Sequence, residues 1–116
     1  MKEININIFE IIGSNVAVSS DAGQKIFNII DKTLTQDYIA NLNFNNINLL
    51  TTAFLNTAIG QLYSKYLSEQ LKKQLKLSNI LYEDKLLLKK VTDRAKEYFK
   101  DKKNIDNIIK DTLGDE

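Results

Sequence analysis

Ile4, Ile6 and Ile8 alternate with Asn5 and Asn7, but from Asp21 onwards the apolar residues recur at three- and four-residue intervals. A period of two marks a half-buried strand and a period of about 3.6 an amphipathic helix, so one fold must accommodate both. Gly13-Ser14-Asn15 supplies turn chemistry after the first strand, and the short run Val16-Ala17-Val18 is expected to return as the second arm of a hairpin. Ala22, Ile26, Ile29, Ile30 and Thr33 then make a helical stripe, with Ser20 or Asp21 as its cap. Alternation resumes from Tyr38 to Phe44, which turns Leu42 and Phe44 inward, and ends at the turn Asn45-Asn46.

Thr51-Thr52 offers hydroxyl caps to a second helix over about 52–66, whose stripe is Leu55, Ala58, Ile59, Leu62, Tyr63 and Tyr66. Both tyrosines are expected to complete the core. Residues 68–73 fit neither period, whereas residues 74–78 alternate as a last strand. Leu87 or Leu88, Val91, Ala95 and Tyr98 or Phe99 predict a third helix over roughly 82–100, and Ile105, Ile108, Ile109 and Leu113 a short docked helix over about 104–113. With no internal repeat, proline or Gly/Ser linker, residues 1–116 are expected to form a single α/β domain with its core at about 3–100. Its expected architecture is two layers: a mixed sheet of about four strands with helices on one face, in the order β-β-α-β-α-β-α plus a C-terminal helical tail.

The chain has no cysteine and no histidine. That removes thiolate nucleophiles, disulfides, thiolate and imidazole metal sites, and the usual proton carrier at neutral pH, so no catalytic residue, metal or other cofactor is expected. Glu83 and Asp84 are adjacent carboxylates, but consecutive helix positions do not face each other, and they read as charges at a helix start. A formal net charge of +1 creates no global field for nucleic acid or acidic lipid. The lysine-rich stretch from Lys72 to Lys110 interleaves Glu83, Asp84, Asp93, Glu97 and Asp101, the pattern of a solvated, self-paired helix face; Lys89, Lys96, Lys100 and Lys103 offer at best a weak phosphate-contacting edge. The opening MKEININIFE lacks the continuous apolar stretch of a secretory signal, and no apolar run reaches membrane-spanning length, so a cytoplasmic protein is expected.

The segment from Ile39 to Asn56 lays out a strand, a short loop and a hydroxyl-rich helix start, and it resembles the signature of STAS domains, the sulfate-transporter and anti-sigma-factor-antagonist fold. Thr51-Thr52-Ala53-Phe54-Leu55-Asn56, with Ser19-Ser20-Asp21-Ala22-Gly23 before the first helix, resembles bacterial STAS-like proteins more closely, over about residues 3–80. In the usual anti-sigma-factor antagonists this corner reads Asp-Ser-Ser-Gly, and a histidine-kinase-like ATPase phosphorylates the second serine. Here Thr51, Thr52, Ala53 and Phe54 fall on those four positions, and Ala53 has no hydroxyl to accept a phosphate.

The resemblance implies a non-enzymatic regulatory module that binds a protein partner, a histidine-kinase-like ATPase, through Asn48, Thr51, Thr52, Ala53 and Asn56. Phosphorylation of Thr51 or Thr52 would add close to two negative charges to that surface. Two alternatives stand beside it. Helix starts at Ser19, Ser20 and Gly23 and at Thr52 can offer backbone N–H groups to a phosphate or nucleotide, and an exposed apolar face on the third helix or tail would support a homodimer. Gly23 costs up to about 1 kcal/mol within a helix, which fits either close packing or close approach by a ligand.

Overall fold

The first strand stops at Asn7, because its side chain accepts the backbone N–H of Glu10 at 3.0 Å and so opens a helix. β1 (Glu3–Asn7) is therefore followed by a five-residue α1 (Ile8–Ile12), which closes at Gly13 with a φ of 67°, the left-handed conformation that favours glycine. Ile8 is buried, as its alternation implied, but from the first turn of a helix. The structure, a computed structural model, describes the backbone of residues 1–113 and the side chains of residues 1–100.

The expected hairpin does not form. β2 (Val16–Ala17) instead pairs in parallel with β4 (Leu49–Leu50), part of an apolar run not read as a strand. The main sheet has three strands in the order β1-β3-β5, contributed by β3 (Ile39–Asn43) and β5 (Leu75–Ser78), and both of its pairings are parallel. One mixed sheet of four strands is thus replaced by separate three- and two-stranded parallel sheets. The cause is connectivity: helices lie between the paired strands, and a parallel pair needs such a crossover where a hairpin needs only a tight turn.

The remaining elements are α2 (Ser20–Thr35), α3 (Thr52–Ala58), a 3-10 helix at Gly60–Ser64, α4 (Ser68–Gln74) and α5 (Tyr82–Leu113). The helix predicted over 52–66 breaks at Ile59 and tightens into the 3-10 turns, although its stripe still buries Leu55, Ala58, Ile59, Leu62 and Tyr66. The undecided residues 68–73 are helical, and the two helices expected over 82–100 and 104–113 share one unbroken backbone. The docking expected of Ile105, Ile108, Ile109 and Leu113 lies outside the described side chains.

Burial alternates along β1 and β3. Ile6, Ala40 and Leu42 enter a core shared with Ile26 and Ile30 of α2 and with Phe54 and Leu55 of α3. The opposite face is polar and tied across the strands: Asn41 donates to Glu3 at 3.0 Å, Ser78 to Asn41 at 2.9 Å and Asn79 to Asn43 at 2.9 Å, and Lys76 pairs with Glu3 at 3.4 Å. A parallel sheet is usually covered on both sides, and here hydrogen-bonded asparagines stand where a second layer would lie. The asparagines thus do more than form turns and strand ends.

Tyr66 fastens the far end of the 3-10 segment to α2: its hydroxyl donates to the Asp31 carboxylate, which also pairs with Lys65 at 2.9 Å. Burial and then the bond to Asp31 push the phenol up to about 12, while the bonds from Tyr66 and then Lys65 hold Asp31 below the usual carboxylate range. A raised folded-state pKa favours the protonated phenol, so its stabilisation is complete below pH 10 and is lost as pH rises through about 12. Tyr66→Phe should cost about 1.5 kcal/mol at pH 7. In urea titrations repeated from pH 8 to pH 12, the wild-type advantage over this variant should shrink at the alkaline end.

Candidate functional site

β2 leads into α2 and β4 into α3, and because the two strands run parallel side by side, both helices start at the same end of the small sheet. The helix starts singled out separately in the sequence are therefore neighbours. Thr51 joins them: its hydroxyl donates to the Val18 carbonyl at 2.7 Å and accepts the Phe54 N–H at 3.3 Å, while its own N–H bonds to the Ala17 carbonyl. Ser19 caps α2 in the same way, accepting the Ala22 N–H at 3.1 Å. In each first turn the cap thus takes up an N–H that a bound anion would need.

Gly23 lies at the contact between the two helices and is buried. A Cβ at this position would stand 2.6 Å from the Phe54 carbonyl oxygen and 2.9 Å from the Thr57 Cβ. Of the two readings that its sequence position left open, close packing by α3 accounts for the glycine. Ser19 and Ser20 are exposed beside it.

Asn48, Thr52, Ala53 and Asn56 are exposed, whereas Thr51 is half-buried. Three residues that sequence reasoning did not select complete this surface. The register that buries Ala17 against Leu50 turns Val16 and Leu49 outward together, and they are 39% and 52% exposed; Val18, whose carbonyl holds Thr51, is 36% exposed. The available signal was the alternation Val16-Ala17-Val18, with the small residue inside and the two larger ones outside. The result is an apolar ledge running into the outer side of α3.

Elsewhere the chemistry is sparse. Glu83 and Asp84 open α5, and Asp84 is pushed up by partial burial and then by the neighbouring Glu83. Among the described residues no group of three acidic side chains is placed to hold a metal ion, and no helix is long and apolar enough to cross a membrane. Tyr66 is buried and Tyr63 half-buried, the latter with its phenol pushed up by burial and then by Asp93. Among the described side chains, α5 has one internal ion pair, Lys89 with Asp93 at 3.0 Å, so its lysines are less self-paired than their spacing implied.

Parallel strands, crossover helices and a capped helix start after a short strand define an α/β domain of the kind to which the corner's sequence pointed. The chain belongs to the STAS-like domain family: residues 22–85, from the first turn of α2 to the first turn of α5, match the family described as a STAS-like domain of unknown function (DUF4325). Comparison with curated proteins and with solved structures finds no match.

Proposed function

We propose that this domain is a non-enzymatic regulatory module, acting in the reduced cytoplasm, that docks a protein partner on the ledge of Val16, Val18 and Leu49 and the adjoining side of α3. The observation that carries this reading is the exposure of three apolar side chains beside Thr52, Ala53 and Asn56. Apolar anchors rimmed by polar groups are what a protein interface requires, and a ledge built on paired strands is rigid before the partner arrives. The family resemblance supports a histidine-kinase-like ATPase as that partner.

Thr52 is the residue at which such docking can be switched. Its side chain is exposed and the cap hydrogen bonds come from Thr51, so a phosphate on Thr52 leaves the helix start intact. It places nearly two negative charges beside the apolar ledge, which the partner would have to desolvate. A phosphate on Thr51 would break the cap and its tie to Val18.

The test is quantitative binding to the histidine-kinase-like ATPases of the native cell. Leu49→Lys and Thr52→Glu should each weaken the complex about tenfold or more, the loss expected on disrupting an interface anchor. Unchanged affinity in both variants, with native circular dichroism, places the partner elsewhere.

A further inference from the structure

β5 is an edge strand, and the leucines it turns toward the core side are incompletely covered: Leu77 is 39% exposed and Leu75 half-buried. Among its described residues, α5 beside them gives the groove one apolar side chain, the buried Leu88. Lys85, Lys89, Thr92 and Lys96 of α5, at i, i+4, i+7 and i+11, line a groove of about 410 Å³ whose floor includes Ile59, Leu71, Leu75, Leu77 and Leu88. A helix packed on an edge strand ordinarily turns an apolar stripe to it. This polar stripe leaves the groove open, with lysine stems along its walls and ammonium groups at its rim.

The opposite wall adds Lys72 of α4. Among the described residues the one acid lining the groove, Asp93, pairs with Lys89 at 3.0 Å, so their charges along the rim sum to a positive surplus. Past Tyr63 and Lys96 the groove adjoins a second hollow of about 310 Å³, where Tyr66, Leu67 and Phe99 continue the apolar surface and Lys100 the cationic one. Lys96 sits 5.8 Å from the centre of the Tyr63 ring. None of these residues belongs to the ledge at β2 and β4.

We propose that this trough binds a linear anionic amphiphile, specifically a free single-chain acyl carboxylate. The leucine floor takes the chain, and the lysines of α4 and α5 hold the head group by charge-assisted hydrogen bonds. Tyr63, whose phenol stays protonated, offers a further donor. The volume falls within the range of small-ligand pockets, roughly 300–1,000 Å³, and the elongated bed that α4, α5, β5 and the 3-10 segment enclose suits a chain better than a folded partner.

Calorimetric titration of the intact protein with laurate, below its micelle concentration, tests this directly. Laurate should bind at a single site, and dodecyltrimethylammonium, with the same tail and opposite charge, should bind at least about tenfold more weakly. The double substitution Lys72→Glu/Lys85→Glu should weaken laurate about tenfold, and Leu77→Asp should do the same by spoiling the floor. These positions are all exposed, and native circular dichroism will verify that the variants fold. Equal binding of the two amphiphiles, indifference to both variants, or response only to an acidic amphipathic peptide or to anionic vesicles overturns the proposal.

Discussion

Phe54→Ala is expected to lower the unfolding free energy by about 3–5 kcal/mol, the cost of emptying a fully enclosed aromatic site. Phe54 is 0% exposed and packs in the core at the start of α3, a helix of only seven residues. So short a helix is not stable by itself and depends on what it buries. The measurement is urea unfolding, in which the midpoint should fall with little change in slope; Phe54→Leu, closer in volume, should cost about 1.5 kcal/mol or less. A loss below about 1 kcal/mol for alanine would mean that α3 is held by other contacts. The family resemblance places Phe54 where anti-sigma-factor antagonists carry glycine, so this chain spends on packing a position that those proteins leave small.

Gly23→Ala should destabilise by about 3 kcal/mol, at the upper end of the overpacking range. A single methyl group is normally favourable in a helix, by up to about 1 kcal/mol over glycine, so propensity alone predicts the opposite sign. The contact decides it. The new Cβ would meet the Phe54 carbonyl oxygen at 2.6 Å and the Ala58 nitrogen at 3.2 Å, both backbone atoms that no side-chain rotation can move aside. α3 would have to shift bodily, and with it the exposed row of Thr52, Ala53 and Asn56. Thermal unfolding reads the destabilisation; a variant as stable as wild type would show that α2 and α3 do not touch at this residue.

The parts of the fold that follow from a long regular period were legible. The stripe from Ile26 to Thr33 faces the core, Leu42 and Phe44 point inward, and the caps at α2 and α3 lie within a residue of where hydroxyls announced them. The misreadings lie where a period is too short to register. Two residues per strand in β2 and β4 are too few to show which strand pairs with which, so their pairing and the outward turn of Leu49 could not be read, and the alternation Val16-Ala17-Val18 was the one signal for the outward valines. At α1 the signs were present, with Asn7 as cap, Glu10 in the first turn and Gly13 past the end, but the isoleucine alternation ran through them. The break at Ile59 and Gly60 was masked in a similar way, because a 3-10 turn keeps the same residues on the inner side.

The polar corner was half visible. Thr51 and Thr52 looked equivalent as hydroxyls, and only the carbonyl of Val18, from a distant strand, assigns one of them to holding the helix and leaves the other free. The asparagine network across the main sheet needed the register of all three strands.

Every strand in this domain finds its neighbour across an intervening helix: Glu3 meets Ile39, Val16 meets Leu49, and Ala40 meets Leu75. No sheet contact can therefore repay the entropy of chain closure until a distant segment has arrived. Refolding cannot start by zipping a local hairpin, and a chain of this size built on such distant pairings is expected to fold more slowly than a helical bundle of the same length.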